Sequence, residues 1–210
     1  MNAADLFAVL ERLRVIPVVE IDDPADAAPL ARTLVDAGLP VVEITLRTPS
    51  ALESIAQIAA KVPECLLGAG TLLTAAMVTD AVGVGAHFGV SAGVSESCLA
   101  AAAERDLPFI PGAATPSEIM IALDAGIRRV KFFPSAAYGG VPTLKALAGP
   151  FAATGVRFMP TGGVTAANLG DYLALPSVFA VGGTWVAPRA DVAAHRWDEI
   201  GARARAVVAS

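Results

Sequence analysis

Short apolar runs alternate with longer amphipathic stretches along the whole chain. Runs rich in β-branched and apolar residues occupy positions 16–19, 41–44, 66–67, 87–90, 109–110, 130–133, 157–159 and 178–181. Their starts lie roughly 20 to 28 residues apart, which is room for one strand, one helix and two short loops per repeat. The pattern predicts strands and helices in alternation, the rhythm of a parallel sheet. Helix signals fall where that rhythm needs them. In Thr115-Pro116-Ser117-Glu118 a capping threonine, a first-turn proline and a glutamate three residues on coincide. Gly126 then ends that helix. Thr48-Pro49, Ser95 and Thr165 predict the starts of three others.

The pentapeptide PVVEI occurs at 17–21 and again at 40–44. Successive βα units built alike would produce it, and so would chance. No Ser/Gly-rich or charged linker divides the chain. The expectation is therefore one domain over residues 1–210, an α/β fold in which eight βα units close into a (β/α)8 TIM barrel after a short N-terminal helix. An open doubly wound sheet is the alternative, because eight strands do not require closure. Nothing resembling GxGxxG follows the first run.

Composition narrows the partners. The 210 residues are 55% hydrophobic and 17% charged, with a formal net charge of −5, enough chain for one sizeable core. A pI near 5.0 argues against nucleic acid or an anionic membrane as partner. The mean hydropathy of +0.61 raises the question of a membrane span. The longest stretch without Asp, Glu, Lys or Arg is 172–188, 17 residues broken by Pro176, Gly182, Gly183 and Pro188, which is too short and interrupted to span. The apolar surplus is expected in a core or a subunit interface. Cys65 and Cys98 stand far apart, outside any CxxC pair, so neither a disulfide scaffold nor a zinc site is expected. The N-terminus carries Asp5 and Glu11 and lacks the basic start and apolar run of a signal peptide. A cytoplasmic location is expected. The two histidines, His87 at the start of the fourth run and His195 in the C-terminal helix, have no acidic cluster beside them, so no metal is expected.

Two strands carry chemistry. By the period of two, Val42 and Ile44 share one face, while Glu43, Thr45 and Arg47 share the other. In a barrel that second face points into the mouth. The chain holds only three lysines. Lys61 and Lys145 lie on helical stretches and read as solvated, whereas Lys131 lies between Val130 and Phe132-Phe133 in a core run. An uncompensated ammonium is costly there. One reading makes Lys131 an edge residue or an ion-pair partner of Glu43. The other makes it a desolvated amine, its pKa depressed by burial and by Arg47, that attacks a carbonyl. Gly68-Ala69-Gly70-Thr71, Pro160-Thr161-Gly162-Gly163 and Gly182-Gly183-Thr184 close three of the runs. Each alone is ordinary turn chemistry. Paired after the seventh and eighth strands, glycine loops predict a phosphate site.

These residues carry a resemblance. Glu43-Ile44-Thr45-Leu46-Arg47-Thr48, Gly68-Ala69-Gly70-Thr71, Lys131-Phe132-Phe133-Pro134, Pro160-Thr161-Gly162-Gly163 and Gly182-Gly183-Thr184-Trp185, in order between about positions 15 and 188, resemble the 2-keto-3-deoxy-6-phosphogluconate aldolase family, which includes 4-hydroxy-2-oxoglutarate aldolases. The resemblance implies a class I aldolase without metal or cofactor, cleaving 2-keto-3-deoxy-6-phosphogluconate to pyruvate and glyceraldehyde 3-phosphate. It implies Lys131 as the imine-forming lysine and Glu43 as proton shuttle. It further implies Arg47 and Thr71 on the pyruvate carboxylate, Phe133 beside the imine, and Gly162, Gly163, Gly183 and Thr184 on the phosphate. A homotrimer is the usual state in that family.

Three departures stand out. Ala92 replaces a frequent proline in Ser91-Ala92-Gly93, and Thr184 replaces a serine but keeps the hydroxyl. Glu20 stands where members are mostly apolar; parity aims it inward, as a rival shuttle, a modifier of Lys131 or a residue reaching solvent. Trp185 is expected to pack under the phosphate loop, and Trp197 to dock on the core or an interface. The alternatives are an aldolase for 4-hydroxy-2-oxoglutarate or for the galactonate epimer, and a phosphate-binding barrel without catalysis.

Overall fold

The structure, a computed structural model, describes residues 2–209. After helix α1 (Ala3–Leu13) the chain alternates strands β1 (Val15–Val19), β2 (Val41–Thr45), β3 (Leu66–Gly70), β4 (Phe88–Val90), β5 (Phe109–Ile110), β6 (Arg129–Phe132), β7 (Arg157–Pro160) and β8 (Val181–Gly183) with helices. The helices are α2 (Ala27–Asp36), α3 (Ala51–Lys61), α4 (Ala75–Gly83), α5 (Glu96–Ala103), α6 (Pro116–Asp124), α7 (Gly140–Ala148), α8 (Leu169–Leu173), α9 (Arg189–Ala193) and α10 (Trp197–Val208). All pairings are parallel. Six strands form one sheet in the order β5-β4-β3-β2-β1-β8, and β6 pairs with β7. Isolated parallel bridges, Gly112 to Lys131, Phe158 to Val178 and Thr161 to Gly182, lie between the two sheets. The result is an α/β fold in which a parallel sheet curls around an interior and helices cover its outside.

Apolar strands suit this arrangement because both faces are covered. Val41, Val42 and Ile44 of β2 are fully buried, and so are Leu30, Leu34, Ile55 and Ile58 of the helices outside it. Two strands depart from the sequence pattern for one reason. β3 runs on through Gly68-Ala69-Gly70, which reads as a turn, because side chains from the neighbouring strands fill that space. A Cβ on Gly68 would overlap the Phe88 ring, and one on Gly70 would overlap the Glu43 carboxylate. β8 pairs at Val181–Gly183 rather than 178–181, since Val15, Ile16 and Pro17 of β1 take Val181, Gly182 and Gly183 as partners. A Cβ on Gly182 would overlap the Thr161 side chain. Glycine disfavours a strand by propensity, yet here the interior leaves room for nothing larger.

The cap at α6 stands as expected. Thr115 and Glu118 form a reciprocal capping box with Pro116 in the first turn, and Gly126 follows at φ +77°. Two other starts move. The N-cap of α3 is Ser50, not Thr48; its side chain accepts no helix N–H, and both hydroxyls donate to the Ile21 carbonyl. The helix expected directly after Thr165 starts only at Leu169, as α8, and the Thr165 N–H donates to Asn168 Oδ1 at 2.8 Å. His195 lies outside α10, in the turn before it, at φ +53°. There its Nε2 lies 2.8 Å from Asp26 Oδ1, and its ring stacks on Trp197 at 5.5 Å.

At the amino ends of β6 and β7, α1 is tied down by charge. Glu11 accepts from Arg129 Nε (3.0 Å) and Nη2 (2.6 Å) and from Arg157 Nη1 (2.7 Å). The Arg129 guanidinium also lies 5.8 Å from the Phe7 ring and 5.6 Å from the Phe179 ring. No described helix is long and apolar enough to cross a membrane.

Candidate active site

Glu43 sits mid-strand in β2 with no exposed surface, and Lys131 sits in β6 with 5% exposure. Parity puts both side chains on the interior face, and the fold brings Lys131 Nζ to 3.5 Å from Glu43 Oε1 across 88 residues of sequence. Lys131 is therefore both buried and paired with Glu43. The second carboxylate oxygen, Glu43 Oε2, is buried without a hydrogen-bond partner. Burying such an atom is costly. An unpaired carboxylate oxygen beside a buried amine is equipped to take and return a proton.

Phe133 follows β6, and its ring centroid lies 5.2 Å from Lys131 Nζ. Thr71, directly after β3, is half-buried and held at φ +60°, a conformation a β-branched residue adopts at a cost. Thr45 is turned to structure: its buried hydroxyl donates to the Val19 carbonyl at 3.3 Å. The β4 end is crowded as well. Ser91 Oγ donates to the Gly93 carbonyl at 2.6 Å, and a Cβ on Gly112 would overlap the Ala92 carbonyl.

Arg47 corrects the parity argument. β2 ends at Thr45, and the Arg47 N–H turns back to the Thr45 carbonyl at 2.8 Å. The period of two does not extend past that turn. The Arg47 side chain is 60% exposed and its Nη1 donates to Glu20 Oε1 at 2.6 Å. Arg47 therefore pairs with Glu20 rather than with the buried residues. Glu20 is one layer further out than Glu43, because Val18, not Glu20, is level with Glu43 in the β1–β2 register. The two PVVEI copies thus enter their strands at different heights. The sequence reading missed Arg189, which binds Glu20 and Asp22; no spacing or motif marks it.

The glycine loops gather at the carboxyl ends of β7 and β8. Gly162 (φ +90°) and Gly163 (φ +78°) take left-handed backbone that other residues rarely adopt. Ser135 N–H donates to the Thr161 carbonyl (2.8 Å) and Ala136 N–H to the Gly162 carbonyl (2.9 Å), binding the loop after β6 to the loop after β7. A buried hydrogen bond from Ser135 Oγ to Tyr172 Oη (2.9 Å) braces them from α8. Trp185 packs where a Cβ of Gly183 would lie, as expected, and Thr184 is exposed beside it. The cysteines take no part. Burial pushes the Cys65 thiol up to about 12, and both are buried and free. His87 accepts the Leu67 N–H on Nδ1 at 3.0 Å, and burial lowers its pKa.

A buried amine facing a buried carboxylate inside a parallel α/β fold is the arrangement that a lyase working through a lysine needs. The family model described as KDPG and KHG aldolase matches residues 6–203. The KHG/KDPG aldolase of Escherichia coli (strain K12) is 45% identical over 194 residues, 92% of this chain and 90% of that protein. The 2-dehydro-3-deoxy-phosphogluconate aldolase of Dickeya dadantii (strain 3937) is 45% identical over 195 residues, 93% of this chain and 91% of the relative. Among solved structures, the KDPG aldolase of Legionella pneumophila, with pyruvate captured at low pH as a covalent carbinolamine intermediate, superposes with a TM-score of 0.92 at 40% identity, over 99% of this chain and 98% of that one. The chain belongs to the KDPG and KHG aldolase family.

Proposed function

We propose that this chain is a class I aldolase that cleaves 2-keto-3-deoxy-6-phosphogluconate to pyruvate and glyceraldehyde 3-phosphate through an imine on Lys131. The observation that carries the reading is the buried Lys131–Glu43 pair with its free carboxylate oxygen. Neutral Lys131 adds to the C2 ketone; the carbinolamine loses water, with Glu43 relaying protons, and leaves a protonated imine. Glu43 then takes the C4 hydroxyl proton as the C3–C4 bond breaks. The bonding electrons move into the imine, the aldehyde departs, and pyruvate remains as an enamine. Protonation at C3 and hydrolysis release pyruvate and return the amine. No metal or cofactor enters these steps.

In this reading Arg47 and Thr71 hold the pyruvate carboxylate, the former through its fork of donors, and Phe133 covers the imine. Gly162, Gly163, Gly183 and Thr184 receive the phosphate with backbone N–H groups and one hydroxyl. The left-handed glycines after β7 support that role. The Escherichia coli relative carries both substrates in its name, which supports 4-hydroxy-2-oxoglutarate as a second substrate here. We also propose closure of the two sheets into a single-domain (β/α)8 barrel over residues 1–210, supported by the bridges between them. A cytoplasmic homotrimer suits the apolar surplus of the chain.

The test is borohydride trapping. Wild type treated with pyruvate and borohydride should lose activity and carry a reduced pyruvate adduct on Lys131. Glu43→Gln should still label, with turnover reduced on the order of 10²–10⁴-fold. Unlabelled wild type, or equal labelling of Lys131→Ala, overturns the mechanism. Comparing kcat/KM on the phosphogluconate and hydroxyglutarate substrates ranks the two.

A further inference from the structure

Four charged side chains form one line of ion pairs over the carboxyl ends of three neighbouring strands. Glu20 and Asp22 follow β1, Arg47 follows β2, and Arg189 opens α9 after β8. Arg189 grips Asp22 with Nε (2.8 Å) and Nη2 (2.6 Å), and its Nη1 reaches Glu20 Oε2 at 3.1 Å. The other oxygen, Glu20 Oε1, accepts from Arg47 Nη1 at 2.6 Å. Glu20 is thus held at both oxygens, and only 23% of its side chain is exposed, against 60% for Arg47 and 55% for Arg189.

This arrangement divides the Arg47 guanidinium. One Nη1 hydrogen is committed to Glu20, while the edge formed by Nε and Nη2 makes no other protein hydrogen bond among the described residues and is the geometry that takes a carboxylate through two bonds. A long side chain already held in place loses less freedom when its ligand arrives. The charges also matter. Glu20 and Asp22 balance Arg47 and Arg189, so the line carries no net charge, and a carboxylate is drawn by the free edge of the Arg47 guanidinium.

We propose that Glu20, fixed by Arg189, is a positioning residue that preorients Arg47 to receive the carboxylate of the 2-keto acid. The proposal rests on Arg47 being that carboxylate's clamp. Glu20 is then neither a second proton shuttle nor a residue merely reaching solvent. It is an anchor for the arginine beside it.

The sign of one measurement tests this. In Glu20→Gln, loss of positioning raises the pyruvate concentration giving half-maximal imine trapping, whereas relief of charge competition lowers it. The expected result is a rise of roughly three- to tenfold with the maximal trapping rate unchanged. Arg189→Met should raise it in the same direction by less, and adding Arg189→Met to Glu20→Gln should change nothing further, since both act through one contact. An unchanged or lowered half-saturation in Glu20→Gln overturns the proposal. So does a fall in the maximal rate alone, or a full additive effect of Arg189→Met in the double variant. Arg47→Met run alongside separates the failures. If it leaves half-saturation unchanged, the clamp reading fails and the proposal with it; if it raises half-saturation while Glu20→Gln does not, the proposal fails alone.

Discussion

A methyl group at position 70 would overlap Glu43 Oε1, so one hydrogen atom on β3 sets where the buried carboxylate of β2 can stand. Glu43 has no slack, being fully buried with Lys131 on one side. Gly70→Ala is therefore expected to cost about 1–3 kcal/mol of stability by overpacking and, by displacing Glu43, to lower turnover roughly 10²-fold while Lys131 still traps pyruvate. Retention of wild-type turnover would refute the steric account. At this scale the sequence was most readable where a residue type was out of place. A lysine and a glutamate inside apolar strands announce themselves because burial of a lone charge is so unfavourable. Arg47 was misread for the opposite reason: parity is a property of extended backbone, and the backbone turns after Thr45.

Among the elements, α6 could be read to the residue, since a capping box is a local device whose partners lie within four positions of each other. Thr115→Ala should lower stability by about 1 kcal/mol without altering pyruvate trapping. Denaturant unfolding checks this, and a change below a few tenths would show the cap to be idle. Thr48 and Thr165 carry the same local signals, and neither caps a helix. The Ile21 carbonyl draws Thr48 and Ser50 away, and Asn168 receives the Thr165 N–H. Those competitors lie in another loop and in a turn that propensity does not describe. β3 and β8 show the converse, with glycines of poor strand propensity held in strands because Phe88, Glu43, Thr161 and Trp185 occupy the adjoining space.

For the molecule as a whole, Glu11 joins the first helix to strands 118 and 146 residues away. Its carboxylate compensates two guanidinium groups that are one quarter to one third exposed. Glu11→Ala leaves both without it and should cost on the order of 2 kcal/mol, a fall in Tm of roughly 4–8 °C for a chain of this size. The exposed Arg32–Glu64 pair is the control, since Glu64→Ala should cost less than about 1 kcal/mol. Equal effects from the two would mean that Glu11 is only a surface charge.

The alternation of strand and helix, the inward faces of β2 and β6, the lone core lysine and the glycine loop after β7 were all legible in the chain, because periodicity, propensity and the cost of burying charge act over a few residues. The line from Asp22 to Arg47 and the floor at Glu11 were not. They join residues 27 to 167 positions apart, and which ones meet depends on strand stagger and on where each strand ends. Side chains packing from every neighbouring strand set those quantities together, so no window of sequence contains them.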